Sequence, residues 1–269
     1  MIKLSELKLG KLPFVEDPRD LKLSDYIDKT VLPTPPTSTD DFKTFDNWLM
    51  FMNDSIGDCA VAGPIHLLML WLKQGGKNVI FTDQNALKTY QAISGYDPSD
   101  PNSDVGCNLR DVLKYWKNIG IPDSKGNLHK IGAFVQLNQA DHQEIKIAQY
   151  LLSGLDIGFN VPAYAMTQFE KGQIWDVQTK NANIEGGHCV VPTGYGKYPN
   201  ASGNVAKVTK DGVWVITWGK AQFMTWAFWD KYVDESWGVL DPEFLNNGKS
   251  PDGFDLANLQ ADLKKLGEN

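Results

Sequence analysis

Apolar positions along this chain change their period near its middle. In the first half they recur every three or four residues, the spacing of a helix with one buried face. Residues 59–74 carry Leu67, Leu68, Leu70, Trp71 and Leu72 and form the first strong helix expected. Pro64, five residues after Cys59, removes a helical N–H and is expected to bend or delay it. Thr82-Asp-Gln-Asn opens a second helix over 82–94 with an N-terminal capping signature. Leu109, Val112, Leu113 and Trp116 mark a third over 109–119.

Beyond residue 127 the pattern turns toward strands. Segments 128–137, 155–161, 188–195, 205–208 and 213–218 read as strands separated by Gly, Asn and Pro. One helix interrupts them at 141–153, with Ile145, Ile147, Ala148, Leu151 and Leu152 on its apolar face. Helices first and strands afterwards predict an α+β chain with two segregated lobes, not alternating βαβ units. The expected organisation has three parts. Residues 1–45, with Pro13, Pro18, Pro33, Pro35 and Pro36, form an extended arm packed across the body. Residues 46–240 form the domain, mainly helical over 46–127 and mainly β over 128–240. Residues 241–269 form a tail, where Leu256, Leu259, Leu263 and Leu266 draw the stripe of a docked amphipathic helix. The aromatic run Trp218, Phe223, Trp226, Phe228, Trp229, Tyr232 and Trp237 reads as core of the second lobe.

Composition narrows the partners. A chain of 269 residues, 42% hydrophobic, buries a full core. Its formal charge of −7 and lack of any basic patch exclude a nucleic-acid surface. The opening Met1-Ile-Lys-Leu-Ser-Glu-Leu-Lys lacks the apolar core of a secretory signal. The longest apolar run, 65–72, is too short to cross a bilayer, so no membrane partner is expected. Cys59, Cys107 and Cys189 are an odd count without C-x-x-C spacing, which fits reduced thiols and a cytoplasmic location.

The candidate chemistry rests on two residues. Cys59 sits in Asn53-Asp-Ser-Ile-Gly-Asp-Cys59-Ala, a Gly-containing turn that delivers a cysteine to the start of an apolar helix. His188 sits in Gly187-His188-Cys-Val-Val-Pro-Thr-Gly-Tyr-Gly196, at the start of a strand, 129 residues further on. A thiol and an imidazole brought together in space are what nucleophilic thiol catalysis requires. Order and separation match a papain-type arrangement.

With Val105-Gly-Cys107-Asn108-Leu109-Arg110, Leu155-Asp-Ile-Gly-Phe-Asn-Val161 and Ile216-Thr217-Trp218-Gly219 in the same order, the chain resembles the papain-like cysteine peptidases over roughly residues 40–235. The resemblance implies a helical left lobe, an antiparallel β-rich right lobe and a cleft between them. It makes Cys59 the nucleophile, its thiolate favoured by a helix N-terminus and an adjacent imidazolium, and His188 the acid/base. It places Asn53 at the oxyanion position, and with the strand shifted by one Thr217 would be the acceptor that orients His188. Gly57, Asp58, Asn108, Leu109, Gly187 and Trp218 would line the substrate cleft. A peptide or protein substrate is implied, with no cofactor and no metal.

The chain also departs from the family. Ile216 stands where an Asn orients the histidine, and Leu109 and Arg110 replace two cleft glycines. Ala60 replaces a Trp, and Ile56 stands where the bridge partner of Cys107 would be. No long helical prosegment precedes the core. Two functions therefore stand open: a thiol hydrolase acting on a peptide or isopeptide bond, and a papain-fold protein used for binding or assembly. The second fits a likeness to uncharacterised papain-like proteins of phages and their hosts, with a virion role and oligomers clasped by the arm or the C-terminal helix. A metal site on Cys59, His66, Cys107, His188 and Cys189 matches no zinc spacing, and adjacent strand residues face opposite ways. His66 reads as packed or surface, His129 and His142 as solvated, and Cys107 and Cys189 as core thiols.

Overall fold

Helix α1, Cys59–Gln74, begins at the cysteine and runs unbroken through Pro64 in the computed structural model, which describes residues 7–25, 34–198 and 209–241. Pro64 therefore does not delay the helix. Every residue from Cys59 to Leu68 is buried, and this packing outweighs the one backbone bond that proline cannot make. Helix α2, Asp83–Ser94, opens where the Thr82 N–H donates to the Asn85 side chain at 2.9 Å, and closes at Gly95 with φ 76°. Helix α3, Leu109–Asn118, is capped by Asn108, whose side chain accepts from the Arg110 N–H at 3.0 Å.

The strand expected over 128–137 is two strands in different sheets. Strand β1, Ile121–Pro122, pairs with β2, Leu128–His129, as a small hairpin, while β3, Ala133–Gln136, joins the main sheet. Between them Gly132 donates its N–H to Leu240 O at 2.8 Å, carrying the chain across. Helix α4, His142–Leu152, is capped by the Asp141 carboxylate and ends at Ser153 with φ 56°. Then come β4 (Asp156–Pro162), α5 (Ala163–Glu170), β5 (Ile184–Tyr198), β6 (Lys210–Thr217), β7 (Lys220–Thr225), α6 (Trp226–Tyr232) and β8 (Val233–Leu240). The six-stranded sheet has the order β3-β8-β4-β5-β6-β7, with every pairing antiparallel.

This is an α+β architecture: α1–α3 lie on one side and the sheet on the other, meeting where α1 packs on β5. No helix among the described residues is long and apolar enough to cross a membrane. The strand expected over 205–208 and the tail helix over 254–266 lie outside the described residues. His129, expected to be solvated, is buried beneath Phe81, with ring centroids 5.4 Å apart, and its Nε2 lies 3.4 Å from Asp123 Oδ2. His142 is partly exposed, stacked on Trp226 and bonded to Asp230.

Candidate active site

Cys59 is the first residue of α1, so its sulfur lies among N–H groups that the helix leaves unpaired. His188 stands on β5, and Thr217 ends β6. His188 Nε2 and Thr217 Oγ1 share a 2.8 Å hydrogen bond, whereas Ile216 is a buried sheet residue paired with Val191 and Ala221. After Thr217 the chain enters a turn in which Trp218 has φ 44° and Gly219 φ 71°. Positive φ is costly for a bulky side chain. Here it lays the indole on the imidazole, with centroids 4.2 Å apart and planes at 16°. His188 is thereby fixed at one nitrogen and shielded on one face. Its Nδ1 is buried with no hydrogen-bond partner among the described residues.

The Cys189 N–H lies 3.4 Å from Cys59 Sγ, so the sulfur sits directly against β5 next to His188. Asn53, Cys59, His66, Cys189, Thr217 and Trp218 line one small cavity. His66, buried on α1, bonds to Leu49 O at 3.1 Å, and burial pushes its pKa down to about 4. Asp58 is fully buried, neither carboxyl oxygen has a hydrogen-bond partner among the described residues, and burial holds its pKa well above the usual range.

The thiolate–imidazolium pair expected from the sequence is not the state of this structure. Burial pushes the Cys59 thiol up to about 12, and the charge of Asp58 adds to that, against the N–H groups of Cys189, Gly10 and Ala60. Burial alone takes His188 down to about 3. Both groups are therefore neutral near pH 7.

Trp218 and Phe159 cover the His188 ring, and the N-terminal arm closes over the Cys59 side of the site. Gly10 lies near enough to Cys59 for its N–H to favour the thiolate, and Gly10 O accepts from the Cys107 N–H at 2.8 Å. Lys11 N–H donates to Gly187 O at 3.1 Å, and Leu12 N–H to Cys107 O at 2.9 Å. The Lys8 N–H donates to Asn53 O, while Lys8 O accepts from Asn53 Nδ2 at 3.4 Å and Trp218 Nε1 at 3.3 Å. The arm thus hydrogen-bonds along both walls at once. A Cβ on Gly10 would lie 1.7 Å from Gly57 O, one on Gly106 2.2 Å from Gly10 O, and one on Gly187 2.3 Å from Lys11 O. Glycines on both walls and on the arm admit this backbone-to-backbone approach.

Of the cleft residues expected, Gly57, Asn108, Gly187 and Trp218 all meet the arm, Asn108 through Nδ2 and Pro13 O at 3.4 Å. Leu109 makes no hydrogen bond to the arm among the described residues. It is buried in the hydrophobic core at the start of α3. Arg110 beside it binds Asp20 and Val15 O of the arm. Cys107 and Cys189 are buried free thiols, the latter donating to Asp156 Oδ1 at 3.0 Å. Sequence reasoning missed Lys11, Asp234 and Glu235, which meet beneath the arm, and Asp156, buried close to Glu235. The signal present was two acids on β8 facing a lone lysine, with a third on β4, and it becomes visible only once β4 and β8 are paired.

No protein-family model matches this chain, and no curated protein matches it. Solved structures do. Xylellain, a cysteine protease from Xylella fastidiosa, superposes with TM-score 0.64 at 16% identity, covering 88% of this chain and 97% of that one. Procathepsin B S9 from Trypanosoma congolense gives 0.58 at 12%, covering 83% of each. Digestive procathepsin L 3 of Tenebrio molitor gives 0.56 at 12%, covering 88% and 77%. The chain has the papain-like fold.

Proposed function

We propose that this chain is a thiol hydrolase that cleaves a peptide or isopeptide bond through Cys59, in a resting state closed by its own arm. The observation that carries this reading is the 2.8 Å bond from His188 Nε2 to Thr217, under Trp218 and beside the cysteine at the start of α1. A histidine that donates Nε2–H to a hydroxyl keeps Nδ1 as its basic nitrogen. Xylellain, which shares the fold, is a cysteine protease.

The steps follow from these positions. Displacing the arm readmits water, which lowers the thiol pKa and raises that of His188. The thiol proton passes to Nδ1, and the thiolate attacks the substrate carbonyl carbon. The oxyanion is met by the Cys59 N–H and by Asn53 Nδ2, the group that now faces Lys8 O. A donor of this kind is worth roughly 10²–10³ in kcat. The intermediate collapses as the imidazolium protonates the leaving amine. Water, deprotonated by His188, then hydrolyses the thioester and restores the thiol.

The closed state also favours a second reading, a papain-fold protein used for binding, because the chain supplies its own cleft ligand. One experiment decides between them. Full-length Gly10→Val forces side-chain atoms against Gly57 O and opens the cleft. Site-resolved iodoacetamide alkylation across pH 4–9 is then expected to find Cys59 reactive below pH 7, ahead of Cys107 and Cys189, and to lose that lead with His188→Ala. Hydrolysis of a fluorogenic peptide library should vanish with Cys59→Ala. A Cys59 that alkylates like an ordinary thiol, with no hydrolysis, establishes the binding reading instead.

A further inference from the structure

The Lys11 side chain is fully buried, an unusual place for a lysine. Its Nζ donates to Asp234 Oδ2 at 2.8 Å and lies 3.1 Å from Glu235 Oε1, itself fully buried. These acids are consecutive on β8, so in a regular strand they would face opposite ways. They do not, because β8 carries an extra residue. Gly158 pairs with Glu235 and Phe159 with Val233, which leaves Asp234 without a partner on β4. A bulge of this kind re-aims a side chain, and here it turns both carboxylates onto one point.

The rest of the socket matches. Gly158 leaves the lysine stem its space, since a Cβ there would lie 2.0 Å from Lys11 Cε. Asn160 Nδ2 holds Asp234 Oδ2 at 3.3 Å, and Trp237 Nε1 holds Glu235 Oε2 at 2.9 Å. One buried oxygen of Asp234 and one of Asp156 have no hydrogen-bond partner among the described residues. Asp156 lies two residues before Gly158 on the same face of β4 and close enough to Glu235 to feel its charge. Emptied of Lys11, this socket would hold buried carboxylates with no cation, an arrangement that strongly favours taking one up.

Resting on the hydrolase reading, we propose that the socket is a recognition site for a lysine or arginine side chain of an extended polypeptide. That chain would lie in the cleft in place of the arm, with its basic residue next to the one passing beside Cys59. The arm is the template for this occupant: Gly10 passes beside Cys59 between Gly57 and Cys107, and its neighbour Lys11 fills the socket. Substrates are then polypeptides cut close to a basic residue.

The test measures binding, not turnover. Fluorophore-labelled acetyl-Leu-Gly-Lys-Leu-Pro-amide, with norleucine and glutamate copies at the lysine, is titrated into full-length Gly10→Val/Cys59→Ala protein by anisotropy. The lysine copy is expected to bind at least about tenfold tighter than the norleucine copy, and the glutamate copy not at all. Adding Asp234→Asn and Glu235→Gln should erase the preference. Equal binding of the lysine and norleucine copies, or binding of neither, overturns the proposal and leaves the hydrolase reading to stand or fall on Cys59 alkylation. A lysine preference in a protein whose Cys59 is inert would keep the socket and sink the hydrolase. Should the Gly10→Val protein fail to fold, full-length Lys11→Ala decides. n-Butylammonium is expected to raise its melting temperature by about 3 °C over the same concentration of 1-butanol, and no difference overturns the socket.

Discussion

The arm is tied to the body at two places, and the two ties have opposite polarity. At Lys11 the arm brings the cation and the sheet brings the carboxylates. At Asp20 the arm brings the carboxylate and α3 brings Arg110. The Arg110 tie is a fork: Nε and Nη2 both grip Asp20, Nη2 also reaches Val15 O at 2.6 Å, and the rings of Phe14 and Trp237 flank the guanidinium. Such planar, multi-bonded geometry is what arginine holds and lysine does not. The Lys11 tie is a point charge on a flexible stem, with Asp234 still 24% exposed at its edge. One tie is built to stay and the other to withdraw. A clamp at Arg110 and a plug at Lys11 would let the arm leave Cys59 without leaving the protein.

The largest effect expected is at the plug. Lys11→Glu sets a third carboxylate against Asp234 and Glu235. Removing one partner of a buried ion pair already costs about 3–5 kcal/mol, and reversing its sign costs more. The arm should leave the cleft, and Cys59 alkylation at pH 7 should rise by about two orders of magnitude, which 2.7 kcal/mol alone would produce. Alkylation at the wild-type rate would show that the plug does not hold the cleft shut.

A second difference between the ties is the acid behind the plug. Burial, aided by the charge of Glu235, raises Asp156 to about 7 from an ordinary value of 3.8. The folded protein therefore holds this proton more tightly than the unfolded chain does. That contribution to stability is complete below about pH 4 and is lost as pH rises through 7. A shift of this size corresponds to about 4 kcal/mol at most. His188, pushed down to about 3, acts the other way: its contribution is complete above about pH 6.5 and is lost as pH falls through 3. Asp156→Asn keeps an acceptor for the Cys189 thiol and removes the titration. Its melting temperature should gain on wild type between pH 5 and pH 8. Parallel curves would mean that Asp156 is charged in the fold.

Much of the cysteine side was legible in the sequence, and little of the clamp or the plug. Helices α3 and α4 were readable from an apolar stripe, α1 from its dense apolar content and α2 from its capping signature. Cys59 and His188 stood out because each sits in a Gly-flanked turn beside an apolar run. Helices α5 and α6 and strands β7 and β8 left no such trace: α5 is short, and in the run from Trp218 to Trp237 aromatic and polar residues alternate with neither period. The bulge at Asp234 exists only in register with β4, so no local pattern announces it. The arm segment from Lys8 to Pro13 looks like plain linker. Its meaning comes from Gly10 meeting Gly57 and Gly106, and Lys11 meeting Gly187, positions that only the fold brings together. Even Arg110, which stands in place of a cleft glycine, makes sense once Asp20 is seen to need it.

The smallest effect should come from the clamp, and it is the sharpest test of the distinction. Arg110→Lys keeps the positive charge near Asp20, so no buried carboxylate is stranded. It loses the fork, the bond to Val15 O and the stacking between Phe14 and Trp237, together worth about 1–2 kcal/mol. The loss falls on the attached end of the arm, four to ten residues along the chain from Gly10. Cys59 should therefore alkylate only a few-fold faster than in wild type, and the lysine preference of the opened cleft should be unchanged. The separation rests on the arm being an extended tether: loosening its far end adds conformations without lifting Gly10 from Cys59, whereas expelling Lys11 lifts its immediate neighbour. If Arg110→Lys opened the site as fully as Lys11→Glu, the arm would be releasing as one cooperative unit. Clamp and plug would then be the same device seen from two ends.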